Sequence, residues 1–117
     1  MIIIDEVCLD RFRRSERCEY CNRPTPDGTD PHHAFIKRGM GGGSRLDVPC
    51  NLAGLCRGYY CGLWVSCHQA AHEGRIHPAD IQAIIARREG MLQDQIWEYL
   101  YELLRRPKCE AAEEDVA

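Results

Sequence analysis

At 117 residues the chain has room for one small domain, with a core too modest to be comfortable without a staple. Eight cysteines point to metal or disulfides as that staple. A net charge of −3 excludes a uniformly basic nucleic-acid binder, and no apolar run is long enough to span a membrane. Met1-Ile2-Ile3-Ile4 runs at once into Asp5 and Glu6, too short for a secretory signal. An intracellular, cytoplasmic zinc protein is therefore expected, rather than a disulfide scaffold.

Residues 5 to 16 read as a short helix, with Val7, Cys8, Leu9 and Phe12 as its apolar set. Arg11, Arg13 and Arg14 lie outside or between them, placed to meet solvent or a phosphate backbone. Cys8 has no close partner and reads as a small core residue. Cys18-Glu19-Tyr20-Cys21 is a two-residue-spaced pair whose thiolates can reach one tetrahedral zinc. The same spacing serves redox chemistry, but no βαβ pattern surrounds it and more cysteines follow. Arg23 to Gly28 is a turn and loop.

His32 to Lys37 has strand character, Gly39 to Ser44 is a glycine-rich loop, and Leu52 to Leu55 forms the returning strand. Cys67 to Glu73 makes a short helix ended by Gly74. The order is strand, loop, strand, helix. His68 and His72, four apart, share one helix face and can bind one ion together. Neighbours in a strand point to opposite sides, so one of His32 and His33 can hold that ion while the other faces the far side of a phosphate. In-line displacement at phosphorus needs that arrangement. The glycine loop lacks the context and the Lys-Ser/Thr of a nucleotide-binding P-loop; beside Lys37 and Arg38 it is suited to close approach to a phosphate. Cys56 is the third candidate zinc ligand. Spacing favours Cys61 as the fourth, while Cys67 lies further on, directly before His68. Cys50 and Cys109 are expected to be unligated.

The ordered set Cys18-x2-Cys21, His32-His33, Asn51, Cys67 and His68-x3-His72 resembles the HNH endonucleases, with their ββα-metal core and four-cysteine structural zinc. The resemblance covers roughly Cys18 to Gly74. It implies a metal-dependent DNA endonuclease with two metal sites. His32, His68 and His72 would hold a catalytic divalent ion such as magnesium or manganese. His33 would be the general base, and Asn51 would hold the loop and orient His33. It also selects Cys67 over Cys61 as the fourth zinc ligand, and implies 5′-phosphate and 3′-hydroxyl products. Small stand-alone relatives of this kind resemble phage and prophage nucleases. A general base must be neutral, so activity is expected to fall at acid pH. The other readings are a non-catalytic zinc module that grips nucleic acid or a protein, and an RNA-directed nuclease.

From Pro78 the pattern becomes helical. Ile81, Ile84 and Ile85 fall at helical spacing up to Gly90, and a second helix carries Leu92, Ile96, Tyr99, Leu100, Leu103 and Leu104 before Pro107. His77 reads as a surface or satisfied core residue. These helices are expected to cover the ββα unit, and an uncovered apolar face would make a homodimer surface. Between Pro31 and Arg75 five basic residues face two acidic ones; from Glu89 onward eight acidic residues face three basic ones. A basic active face, with Lys37, Arg38 and Arg45 meeting DNA, and an acidic tail are the reading of that asymmetry. The expectation is a small α+β fold: one domain over 1–108, with its core at about 30–75 and helices at about 78–106. Residues 109–117 would form a disordered acidic tail.

Overall fold

The computed structural model describes residues 2–37, 45–57 and 65–105 as a small α+β domain. The chain opens with β1 (Ile2–Ile3) and α1 (Glu6–Arg13). Asp5 caps α1, its side chain accepting from the Cys8 amide, while Glu6 and the pair Arg11 and Arg13 suit the two ends of the helix dipole. The helix is shorter than the 5–16 expected, because Arg14 and Ser15 turn out of it. Cys8 and Leu9 face inward with Phe12 and Leu52, whereas Val7 is 76 % exposed and does not belong to the apolar set.

Next come β2 (Thr29–His33), β3 (Arg45–Leu46), a 3-10 turn at Pro49–Asn51 and β4 (Leu52–Cys56). β2 and β4 pair antiparallel, from Thr29 opposite Cys56 to His33 opposite Leu52. β1 and β3 pair in parallel, a pairing of distant segments that no local pattern announced. The strand expected over 32–37 in fact lies at 29–33. Pro31 is accommodated because a two-stranded ribbon leaves each strand an edge free of ladder bonds. The strand stops at His33 because the Asn51 side chain, not a partner strand, takes the amides of Phe35 and Ile36. The expected return strand is found, extended by Cys56.

Three helices complete the described chain: α2 (Cys67–His72), α3 (Pro78–Glu89) and α4 (Gln93–Arg105). Ser66 caps α2 through the Gln69 amide, and His77 caps α3 by accepting from the Ala79 amide. The fifth histidine is thus the surface residue expected, with the cap as its added role. Gly90 ends α3 in the left-handed conformation (φ 66°), which an L side chain would adopt only with strain. Ile81, Ile85, Ile96, Leu100 and Leu103 close the main core with Ala34, Phe35, Leu46 and Leu55. α3 and α4 therefore cover the strand-strand-helix unit. Trp97 meets Phe35 edge-on at 5.2 Å between ring centres and stacks on Tyr101. Among the described residues no helix is long and apolar enough to cross a membrane.

Arg88 ties the layers together. It pairs with both Glu19 carboxylate oxygens at 2.7 and 2.8 Å, donates to the Pro49 and Leu52 carbonyls, and lies 5.2 Å from the centre of the Phe12 ring. Glu19 in turn accepts from the Gly54 amide, so one arginine joins α3, the cysteine turn, β4 and α1.

Candidate functional site

Cys18, Cys21, Cys56 and Cys67 bring their sulfurs within 4.8 Å of one another. The first two lie on a tight turn in which Asn22, at φ 59°, donates to the Cys18 carbonyl. Cys56 ends β4 and Cys67 begins α2. A tetrahedral zinc with bonds near 2.3 Å needs sulfurs about 3.8 Å apart; Cys21 and Cys56 stand at 3.9 Å. Backbone amides aim at the sulfurs, Cys21 at Cys18 and Cys67 at Cys56, which favours thiolates. The Cys18 thiol is drawn down to about 4, first by its hydrogen bond with Cys67, against the opposing effect of burial. The four cysteines can hold a zinc ion. Cys67 is the fourth sulfur of this cluster among the described residues; Cys61, the alternative from spacing, lies outside them, as does Cys109.

Cys50 and Cys8 behave differently. Burial pushes Cys50 up to about 11 and raises Cys8, leaving both as protonated core thiols outside the cluster. No disulfide joins the described cysteines.

One residue past Cys67 a second cluster begins. His32, His68 and His72 place one ring nitrogen each within 4.8 Å of one another. The Nε2 atoms of His68 and His72 are 2.9 Å apart, close to the roughly 3 Å between neighbouring ligands bonded about 2.1 Å from one octahedral ion. His68 Nδ1 is 2.8 Å from Asp30 Oδ2; the carboxylate fixes the ring and leaves Nε2 toward the cluster. Burial, then repulsion from His68 and His72, pushes His32 down to about 4, and burial likewise lowers His72. Both rings thus keep a free lone pair at neutral pH, as a metal ligand must.

His33 points elsewhere, as strand alternation requires. Its Nε2 lies 2.7 Å from Asp47 Oδ1. A carboxylate only accepts, so Nε2 carries the hydrogen and Nδ1 keeps the lone pair in the neutral ring. Asp47 is fully enclosed. Burial opposes its ionisation, but hydrogen bonds from Arg45, His33 and the Asp5 amide outweigh it and hold its carboxyl below the usual carboxylate range. Arg45, a candidate DNA contact, engages its guanidinium with Asp47, and its side chain is 16 % exposed.

Asn51 is buried and uses its whole amide group. Its oxygen accepts from Phe35 and Ile36 at 3.0 and 2.8 Å, and its nitrogen donates to the Ile36 and Leu46 carbonyls at 3.0 Å each. It holds the segment after His33 against the one before Asp47. The direct orientation of His33 falls to Asp47, not to Asn51. Asn51→Ala strands two buried amides and is expected to cost about 2–4 kcal/mol, read from the shift of the urea unfolding midpoint.

The two sets of histidines share a cleft of about 490 Å³, which Lys37, Arg13, Arg45 and Ile76 also line. Arg38 lies outside the described residues. Among those described, no buried side-chain nitrogen or oxygen lacks a partner. Sequence reasoning missed Asp30 and Asp47. Asp30 could have been found, since it stands two residues before His32 and so on the same face of the strand; Asp47 carries no local signal. Comparison with protein-family models, curated proteins and solved structures finds no match to this chain.

Proposed function

We propose that this chain is a metal-dependent DNA endonuclease of the HNH kind. One observation carries the reading: three histidine nitrogens converge in an open cleft, beside a fourth histidine held separately by a buried carboxylate, and apart from the thiolate cluster. A structural centre is closed by four ligands, whereas a catalytic one keeps positions open. The cysteine cluster fits the first description and the histidine cluster the second.

A divalent ion held by His32, His68 and His72 would supply charge stabilisation at the phosphate and the leaving oxygen. The chain's own groups do the rest. His33 Nδ1 takes a proton from water as the water oxygen bonds to phosphorus and the bond to the 3′ oxygen breaks. The 3′ oxygen gains a proton from solvent, giving 5′-phosphate and 3′-hydroxyl ends. Asp47 holds the imidazole and offsets the charge it gains. Asp30 holds His68, and Lys37 adds positive charge at the cleft wall. Asp47→Asn keeps the volume but can turn an N–H toward His33, and should lower the cleavage rate by roughly 10- to 100-fold with zinc content unchanged.

The test is conversion of supercoiled plasmid to nicked or linear forms with magnesium, with manganese or with EDTA. Cleavage with either metal and none with EDTA supports the reading, and the product pattern distinguishes nicking from double-strand cutting. No cleavage with any metal, by protein that retains zinc, would replace it with a zinc-binding recognition module or an RNA-directed nuclease.

A further inference from the structure

A second groove opens where α1 ends. Its walls are Arg13, Arg14 and Arg17 on one side and the Pro24–Gly28 loop on the other. The loop is fastened to the stretch of chain leaving α1: the Thr25 amide donates to the Glu16 carbonyl at 2.8 Å, Thr25 Oγ1 donates to the Ser15 carbonyl at 2.9 Å, and Arg17 bridges Pro24. Gly28, at φ 84°, closes the loop onto the helix end. A Cβ there would fall 1.8 Å from the Arg13 carbonyl oxygen, so only glycine allows this approach. The groove is therefore preformed rather than a gap between loose segments.

Arg13 lines both this groove and the histidine cleft, so the two are adjoining parts of one surface. The three arginines differ in their engagements. Arg13 pairs with Glu6 and Asp10, each at 2.9 Å, which holds it in place and offsets its charge. The Arg17 side chain donates to the Asn22 carbonyl, a neutral acceptor, and pairs with no carboxylate among the described residues. The Arg14 side chain is exposed, with no hydrogen bond or ion pair among the described residues. Glu16 and Asp27 also line the groove, so its net charge is small. Recognition there would work through guanidinium–phosphate hydrogen bonds at short range, not through long-range attraction.

We infer that this groove binds the phosphodiester backbone of DNA flanking the bond held in the histidine cleft, with Arg14 and Arg17 meeting successive phosphates. The inference rests on the nuclease reading for the position of the scissile bond. It gives the substrate a direction, leaving the histidines past Arg13 toward the cysteine turn. It also makes a substrate longer than one diester favourable.

Binding of a fluorescein-labelled DNA duplex is measured by anisotropy between about 50 and 200 mM salt, without magnesium or manganese. Wild type is compared with Arg14→Ala, with Arg14→Ala/Arg17→Ala, and with Arg87→Ala, an exposed arginine lining neither cavity. Removing one arginine–phosphate pair should reduce the slope of log K against log salt by about 0.9, so the double variant should fall short of wild type by about 2 and the single variant by about 1. Arg87→Ala should match wild type. Metal-dependent hydrolysis of bis(p-nitrophenyl) phosphate, too small to reach the groove, should be unchanged in both variants. A wild-type slope in the single and double variants, with zinc retained, overturns the inference. If wild type cleaves neither plasmid nor the small diester, the nuclease reading fails, while the salt slopes still decide whether DNA lies in this groove.

Discussion

If the proposed nuclease reading holds, His33→Ala should lower metal-dependent DNA cleavage by about 10²- to 10⁴-fold, the range over which a positioned general base contributes. In barrier terms this is about 2.7–5.4 kcal/mol. The loss should reside in the chemical step, since His33 is outside the three-histidine cluster and outside the four-cysteine cluster. Single-turnover cleavage at saturating protein reads the step directly. Zinc content and manganese binding should match wild type. The fold should survive too, because Asp47 keeps its bonds to Arg45 and to the Asp5 amide when the imidazole is gone. His68→Ala is the informative contrast. It too should abolish cleavage, but through loss of the manganese signal, leaving Asp30 paired with Arg57 among the described residues. Cleavage by His33→Ala within a few-fold of wild type would dismiss His33 as the base. The proton would then have to go to another group in the cleft.

The parts of the site that the sequence discloses are those whose chemistry depends on local spacing. Cys18 with Cys21, and His68 with His72, sit at intervals that a turn and a helix convert directly into proximity. Adjacent histidines on a strand have to diverge, and His32 and His33 do: one faces the cluster, the other Asp47. Legibility ends where a residue's role is set by a partner far away in the chain. Asp47 looks like any loop acid until the pairing of β1 with β3 brings Asp5 to it and burial encloses it. Asn51 has no periodic signature, yet it decides where β2 ends, because its amide replaces a sheet partner for Phe35 and Ile36. Val7 shows the opposite error, an apolar residue assigned to a face that the described residues leave exposed. The choice of Cys67 over Cys61 could not be made from spacing alone, since it depends on how α2 docks against the end of β4.

Removing zinc from the cysteine cluster should unfold the domain, not merely loosen it. Apparent binding free energies of structural zinc in small domains are about 10–16 kcal/mol, as large as or larger than the roughly 5–15 kcal/mol that ordinarily separates folded from unfolded states. The architecture gives that magnitude a route. Cys56 is paired with Thr29 at one end of the β2–β4 ribbon, whose other end carries His33 opposite Leu52. The Cys18–Cys21 turn docks on the same ribbon through hydrogen bonds in both directions between Glu19 and Gly54. Cys67 is the first residue of α2 and His68 the second, so the thiolate cluster sets where the histidine cluster's helix begins. Without the ion, four clustered thiols have neither metal nor disulfide to join them, and the segments they fasten separate. Cys67→Ser should therefore lose zinc, far-UV helical signal and cooperative melting together, whereas Cys61→Ser keeps all three. Zinc measured by a colorimetric chelator after mercurial titration should be one ion per chain, released in step with the loss of helix. A Cys67→Ser protein with full zinc and an unchanged melting temperature would remove Cys67 from the ligand set. A wild type that stays folded after complete zinc release would show instead that α3 and α4, closing over Ala34, Phe35 and Leu55, hold the domain together without it.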